Sequence, residues 1–132
     1  MTLQYSVPIN DARLDAIETV IGTSPKLRIY TGGIPANAAA AATGTVLVEM
    51  SLPVDWLANS AANVKSKAGV WAGTSIAAGT AGYFRILNTA GTVTGIQGTC
   101  GLVSGDLSLD NNVIAINQPV TVTGFSITAA HQ

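Results

Sequence analysis

Few residues in this chain have the types or spacing to do chemistry. The single histidine, His131, is the penultimate residue. A hydrolytic triad needs a base held firmly in place, and chain ends are the segments least tied down. Ser–His and Cys–His chemistry are therefore not expected. Cys100, the only cysteine, has no internal disulfide partner. It suits a small buried apolar position better than a nucleophile, which would need a cationic neighbourhood. No Cys/His set has zinc spacing, and no glycine-rich loop carries a phosphate-binding lysine. Asp106, Asp110, Asn111 and Asn112 supply oxygen atoms of the kind calcium takes. They lack the dense alternation and closing glutamate of a calcium loop, so turn formation is expected instead. Trp56, Trp71, Tyr5, Tyr30 and Tyr83 could form a sugar-stacking platform, but packing in the core is the expectation. This reading gives no enzyme, no metal and no cofactor.

The elements that must carry these residues read mainly as β. Gly82 to Thr99 forms a hairpin. Tyr83-Phe84-Arg85-Ile86-Leu87 is apolar on both faces, which predicts a central strand covered on both sides. Thr92 to Thr99 returns after Thr89-Ala90-Gly91, where glycine supplies positive φ. Arg85 is the hairpin's only charge. Leu27 to Tyr30 is a short strand stopped at Gly32-Gly33. Residues 34–44 form a loop with room for one helical turn of alanines. Thr45 to Leu52 alternates, with Val46, Val48, Met50 and Leu52 inward. Trp56 plugs one end of the core. Lys65 and Lys67 mark an exposed edge or its approach, and residues 69–76 form a strand around Trp71. Short strands follow at 106–109, 113–116 and 120–128. A bulge at Gly124 would bring Val120, Val122, Phe125 and Ile127 onto one face.

Ahead of the strands comes one helix, residues 10–21. Asn10 is placed as its N-cap and Gly22 as its C-terminal stop. Leu14, Ile17 and Ile21 form its apolar stripe, which either covers the chain's own sheet or docks on a partner. Residues 1–9 read as an extended arm, with Leu3, Tyr5 and Val7 alternating and Pro8 ending the run. The arm pairs either with its own sheet or with a neighbour's.

Composition narrows the class. The chain has 132 residues, the size of one domain, and is 48% hydrophobic and 10% charged; soluble domains average about 25% charged. So neutral a surface suits a protein packed against other protein. The net charge of −1 argues against nucleic acid, whose binders show a basic patch. No basic leader precedes an apolar run, and no apolar stretch is long enough to span a membrane. Short strands separated by turn signals give a mainly β fold: an antiparallel, jelly-roll-like β-sandwich of residues 10–132 with one short N-terminal helix.

Several segments also resemble, in their combined order, a family of small virion structural proteins of tailed bacteriophages and prophages. They are Ala12 to Glu18 running into Ile21 to Pro25; Gly44 to Leu47; Leu52-Pro53 with Asp55-Trp56; Gly79 to Ile86; and Gly105 to Leu107 with Leu109-Asp110. The resemblance spans about Ala12 to Thr128. It implies a particle component without enzymatic activity, most simply a capsid decoration or cement protein on the virion surface. The expected partners are then the major capsid protein and further copies of the chain, as a homodimer or homotrimer. Leu3, Tyr5, Val7, Leu14, Ile17 and Ile21 are the expected interaction residues. A tail, neck or receptor-binding fibre component and a carbohydrate-binding module are the alternatives.

Overall fold

The computed structural model describes residues 3–102 and 105–129. Helix α1 (Val7–Ile21) precedes nine strands: β1 (Lys26–Thr31), β2 (Val46–Ser51), β3 (Val64–Ser66), β4 (Ala72–Thr74), β5 (Gly79–Leu87), β6 (Thr94–Gly101), β7 (Leu107–Leu109), β8 (Val113–Ile114) and β9 (Pro119–Thr128). The strands run β2-β1-β5-β6-β7-β9-β3, with β4 on β9 and β8 on β5. The sheet curls on itself around one core, so the fold is mainly β and sandwich-like, with one helix among the described residues, near the N-terminus. No described helix is long and apolar enough to cross a membrane.

The pairing is antiparallel except for β6 with β7, so the sheet is mixed where an all-antiparallel one was expected. The parallel contact covers only Cys100–Leu107 and Gly101–Ser108. Beside it the Asp106 N–H donates to the Thr99 carbonyl at 2.9 Å. From Thr94 to Gly98, β6 has a strand partner on the β5 side alone.

The hairpin forms as its sequence dictates. β5 and β6 pair from Tyr83–Thr99 to Leu87–Thr94, and Gly91 in the turn takes φ 72°. Residues Tyr83 to Leu87 are all buried, so β5 is covered on both faces. One face meets an aromatic chain. Trp56 lies 6.0 Å from Trp71, Trp71 5.4 Å from Phe125, and Phe125 edge-on to Phe84 at 5.7 Å. On the other face Tyr30 stacks flat on Tyr83, centroids 4.7 Å apart. The bulge in β9 is real. Leu109 pairs with Val122 while Ser108 pairs with Gly124, so Thr123 is skipped. Val120, Val122 and Phe125 are thereby buried, with Ile127 packed against the same core.

Three local readings are corrected. The helix begins at Val7, not Asn10, with Ser6 as N-cap. Pro8 opens the helix instead of ending a strand, because its fixed φ and missing N–H cost nothing in a first turn. The arm is correspondingly shorter, and its described part, residues 3–6, pairs with no strand. Asn10 is fully buried inside the helix and donates through Nδ2 to Asn63 Oδ1 at 2.9 Å. Residues 34–44 hold one hydrogen-bonded turn and no helix: the Ala40 N–H reaches the Asn37 carbonyl at 3.1 Å, and Asn37 Oδ1 also accepts the N–H groups of Ala39 and Ala40.

Lys65 is the third correction. Its side chain is 1% exposed, not on an open edge. Its ammonium donates to Asp15 Oδ1 at 2.7 Å and to the Ala58 carbonyl at 2.9 Å, with Glu18 Oε1 at 3.4 Å. A lysine is this deeply buried only where such partners surround it. Together with Asn10–Asn63 and the bond from the Ser60 hydroxyl to the Asp11 carbonyl, this contact holds α1 on the sheet by a polar strip. Beside it Leu14 and Ile21 enter the core.

Candidate functional site

Four of the chain's thirteen charged residues, Lys26, Arg28, Glu49 and Arg85, lie on β1, β2 and β5. Register places Glu49, Arg28, Arg85 and Gln97 side by side across the four strands. Glu49 meets Arg28 at 2.5 Å and reaches Lys26 at 3.9 Å. The carboxylate holds the Arg28 guanidinium above its ordinary pKa. Arg85, directly opposite Arg28, has no such partner. It is 4% exposed, and no carboxylate lies within ion-pair distance of it among the described residues.

Arg85 bonds instead to neutral oxygens. Nη2 donates to the Ala40 carbonyl at 2.7 Å and the Asn37 carbonyl at 3.5 Å, and Nε donates to Gln97 Oε1 at 3.2 Å. Gln97 Nε2 in turn donates to the Pro35 carbonyl at 2.9 Å. The Tyr83 hydroxyl donates to the Thr43 carbonyl and accepts the Thr43 N–H. Three side chains of the hairpin thus pin the loop at 34–45 over the sheet. A cleft of about 540 Å³ remains between that loop and the start of β6, with Arg85 at its base. Its place in an otherwise apolar central strand was the signal in the sequence. The covering loop, about 45 residues upstream, left none.

The groups singled out from the sequence do not converge. Asp106 Oδ2 accepts the Thr99 N–H, Asp110 Oδ1 the Thr121 N–H, and Asn111 Oδ1 the Val113 N–H. Asn111 thus closes its own turn while the two aspartates bond across to neighbouring strands, and no group of three metal-ligating side chains forms among the described residues. Burial pushes the Cys100 thiol up to about 11, which keeps it protonated. His131 lies outside the described residues. Trp56, Trp71, Tyr30 and Tyr83 are buried, and Tyr5 lies under the Arg13 guanidinium at 4.7 Å, so these rings make no open platform.

Of the expected interaction residues, Leu14 and Ile21 face the chain's own core and Ile17 is half-buried against it. Tyr5 is half-buried, while Leu3 and Val7 are exposed. An apolar groove of about 360 Å³ runs between α1 and β6, lined by Ala16, Ile17, Val20, Gly95 and Ile96. The 84% exposed Val20 stands on its rim.

Comparison with family models, with curated proteins and with solved structures finds no match to this chain.

Proposed function

We propose that this protein is a non-enzymatic structural component of a bacteriophage particle, a decoration or cement protein. In this reading it sits on the capsid surface as a homodimer or homotrimer and binds between capsomers of the major capsid protein. One observation carries the reading. Twelve large apolar side chains are exposed among the described residues, Val20, Val70, Val54 and Leu3 the most open, on a chain with only thirteen charged residues. With so few charges, such a surface repels neighbouring protein only weakly. The resemblance to small virion structural proteins points the same way. The buried tryptophans weigh against a carbohydrate-binding module.

Copy number tests the proposal. Quantitative mass spectrometry and an electron-microscopy map of the particle that carries the protein are expected to find hundreds of copies on the head lattice. A count in the tens, at the tail or neck, would replace the decoration role with the tail or fibre one. Absence from purified particles would end both.

A further inference from the structure

We propose that Arg85 forms the base of a carboxylate-binding site, and that its ligand is an aspartate or glutamate side chain presented by a partner protein. The inference concerns ligand chemistry and stands whether or not the partner is a capsid.

The argument begins with charge. An arginine only 4% exposed is rarely left without an anion, because neutral acceptors compensate only part of the hydration it loses. Arg85 has neutral acceptors alone: two carbonyls and one amide. Its neighbour across the strand is another cation, Arg28, and the one carboxylate of that row, Glu49, is taken up by Arg28 and Lys26. The local field is therefore positive and unbalanced.

Donor geometry is the second observation. A guanidinium carries five N–H groups in a fixed fork. The Nε and Nη2 bonds use one side of that fork. Nη1 has no acceptor among the described residues, yet no buried polar side-chain atom there lacks a partner. Nη1 therefore keeps some exposure, and Arg85 is one of the residues that line the cleft.

The cleft selects the ligand class. Its walls are Ala38 to Ala40 on one side and Thr92 to Thr94 on the other. They bring no second cation and no metal ligand. Only Nη1 is left free, which gives a carboxylate one charge-assisted bond, and the walls hold no second cation to match the greater charge of a phosphate. The rim carries Val93, 62% exposed, an apolar contact that suits a protein surface better than a small hydrated acid.

Thermal melts of the intact protein at matched ionic strength test this, with four additives: chloride, acetate, N-acetylglutamic acid α-amide and inorganic phosphate. A ligand that binds only the folded state raises Tm. Acetate and the capped glutamate are expected to raise Tm above chloride by about 2 °C or more. Amide shifts in two-dimensional NMR should be confined to Ala38–Ala40 and Thr92–Thr94. Thr94→Glu puts a carboxylate on the cleft wall while leaving Arg85 and its loop bonds intact. It is expected to raise Tm and abolish the response to acetate. No difference between acetate and chloride overturns the site, as does an undiminished acetate response in T94E. A response to acetate but not to capped glutamate overturns the protein ligand, and a stronger response to phosphate overturns the carboxylate class.

Discussion

Lys65 Nζ stands 2.7 Å from Asp15 Oδ1, joining a buried ammonium on β3 to a helix fifty positions earlier in the chain. The two sides of this contact are unequal. The lysine side chain is 1% exposed and the aspartate side chain 50%, so only the lysine depends on its partners in place of water. Removing the cation leaves two carboxylates that water can reach; removing both carboxylates strands a cation that it cannot. Lys65→Met is expected to cost about 1–3 kcal/mol in urea unfolding. Asp15→Ala with Glu18→Ala should lower Tm further than Lys65→Met. The reverse order would mean that the buried ammonium finds other partners.

Acid should release the same contact. Lys65, then the Ser60 N–H, hold the Asp15 carboxyl below its ordinary value of 3.8. A depressed folded-state pKa contributes stability above the unfolded value, and that contribution is lost as pH falls through the folded one. Tm is therefore expected to be level above about pH 5 and to fall below pH 4, less steeply in Asp15→Asn. Trp56 reports the event locally, since its indole N–H donates to the Gly22 carbonyl at the end of α1 at 2.9 Å. Its emission should shift to the red in acid before the sheet melts.

Gly82 is fixed by contact and not by backbone angle. A Cβ there would lie 1.9 Å from the Gly32 carbonyl oxygen, and main chain cannot turn aside as a side chain can. Gly82→Ala is expected to cost more than about 2 kcal/mol or to prevent folding. Gly33→Ala, with nothing within 4 Å, is the matched control and should leave Tm nearly unchanged.

Cys100 should be slow to alkylate. With its thiol pushed up to about 11, the thiolate fraction at pH 8 is about one in a thousand. Iodoacetamide labelling of the native protein should accelerate about a hundredfold on unfolding in guanidinium. Equal rates would place the thiol in open solvent.

What the sequence disclosed follows from side-chain period. Val48 and Met50 alternate with Glu49, and the structure buries the first two and exposes the third. Val120, Val122, Phe125 and Ile127 break period at Gly124, and the skipped Thr123 restores it. Pro8 was ambiguous because a strand's end and a helix's first turn accept the same residue. Lys65 misled because alternation describes an edge, whereas Asp15 and Glu18 lie about fifty positions away. Leu47 was read as facing away from the core. It does face the other way from Val48, but residues 76–79 lie over it, its carbonyl taking the Ile76 N–H at 2.7 Å, and it is fully buried. The cleft over Arg85 was hidden for the same reason, since a loop that covers a strand leaves no mark on the strand's own pattern.

The docking of α1 also sets an order of events during synthesis. Its polar strip and its apolar stripe wait for residues 56–65 and for Gly95, where a Cβ would come within 2.6 Å of Ile21. β1 waits similarly for β5, since Ile29 pairs with Phe84. A fifteen-residue helix is marginal in water by itself. The nascent chain must therefore carry Leu14, Ile17 and Ile21 uncovered until the hairpin has left the ribosome. Long-range pairing of this kind folds in about milliseconds to seconds, and during that interval the unseated helix is the segment most open to chaperones or to an identical chain.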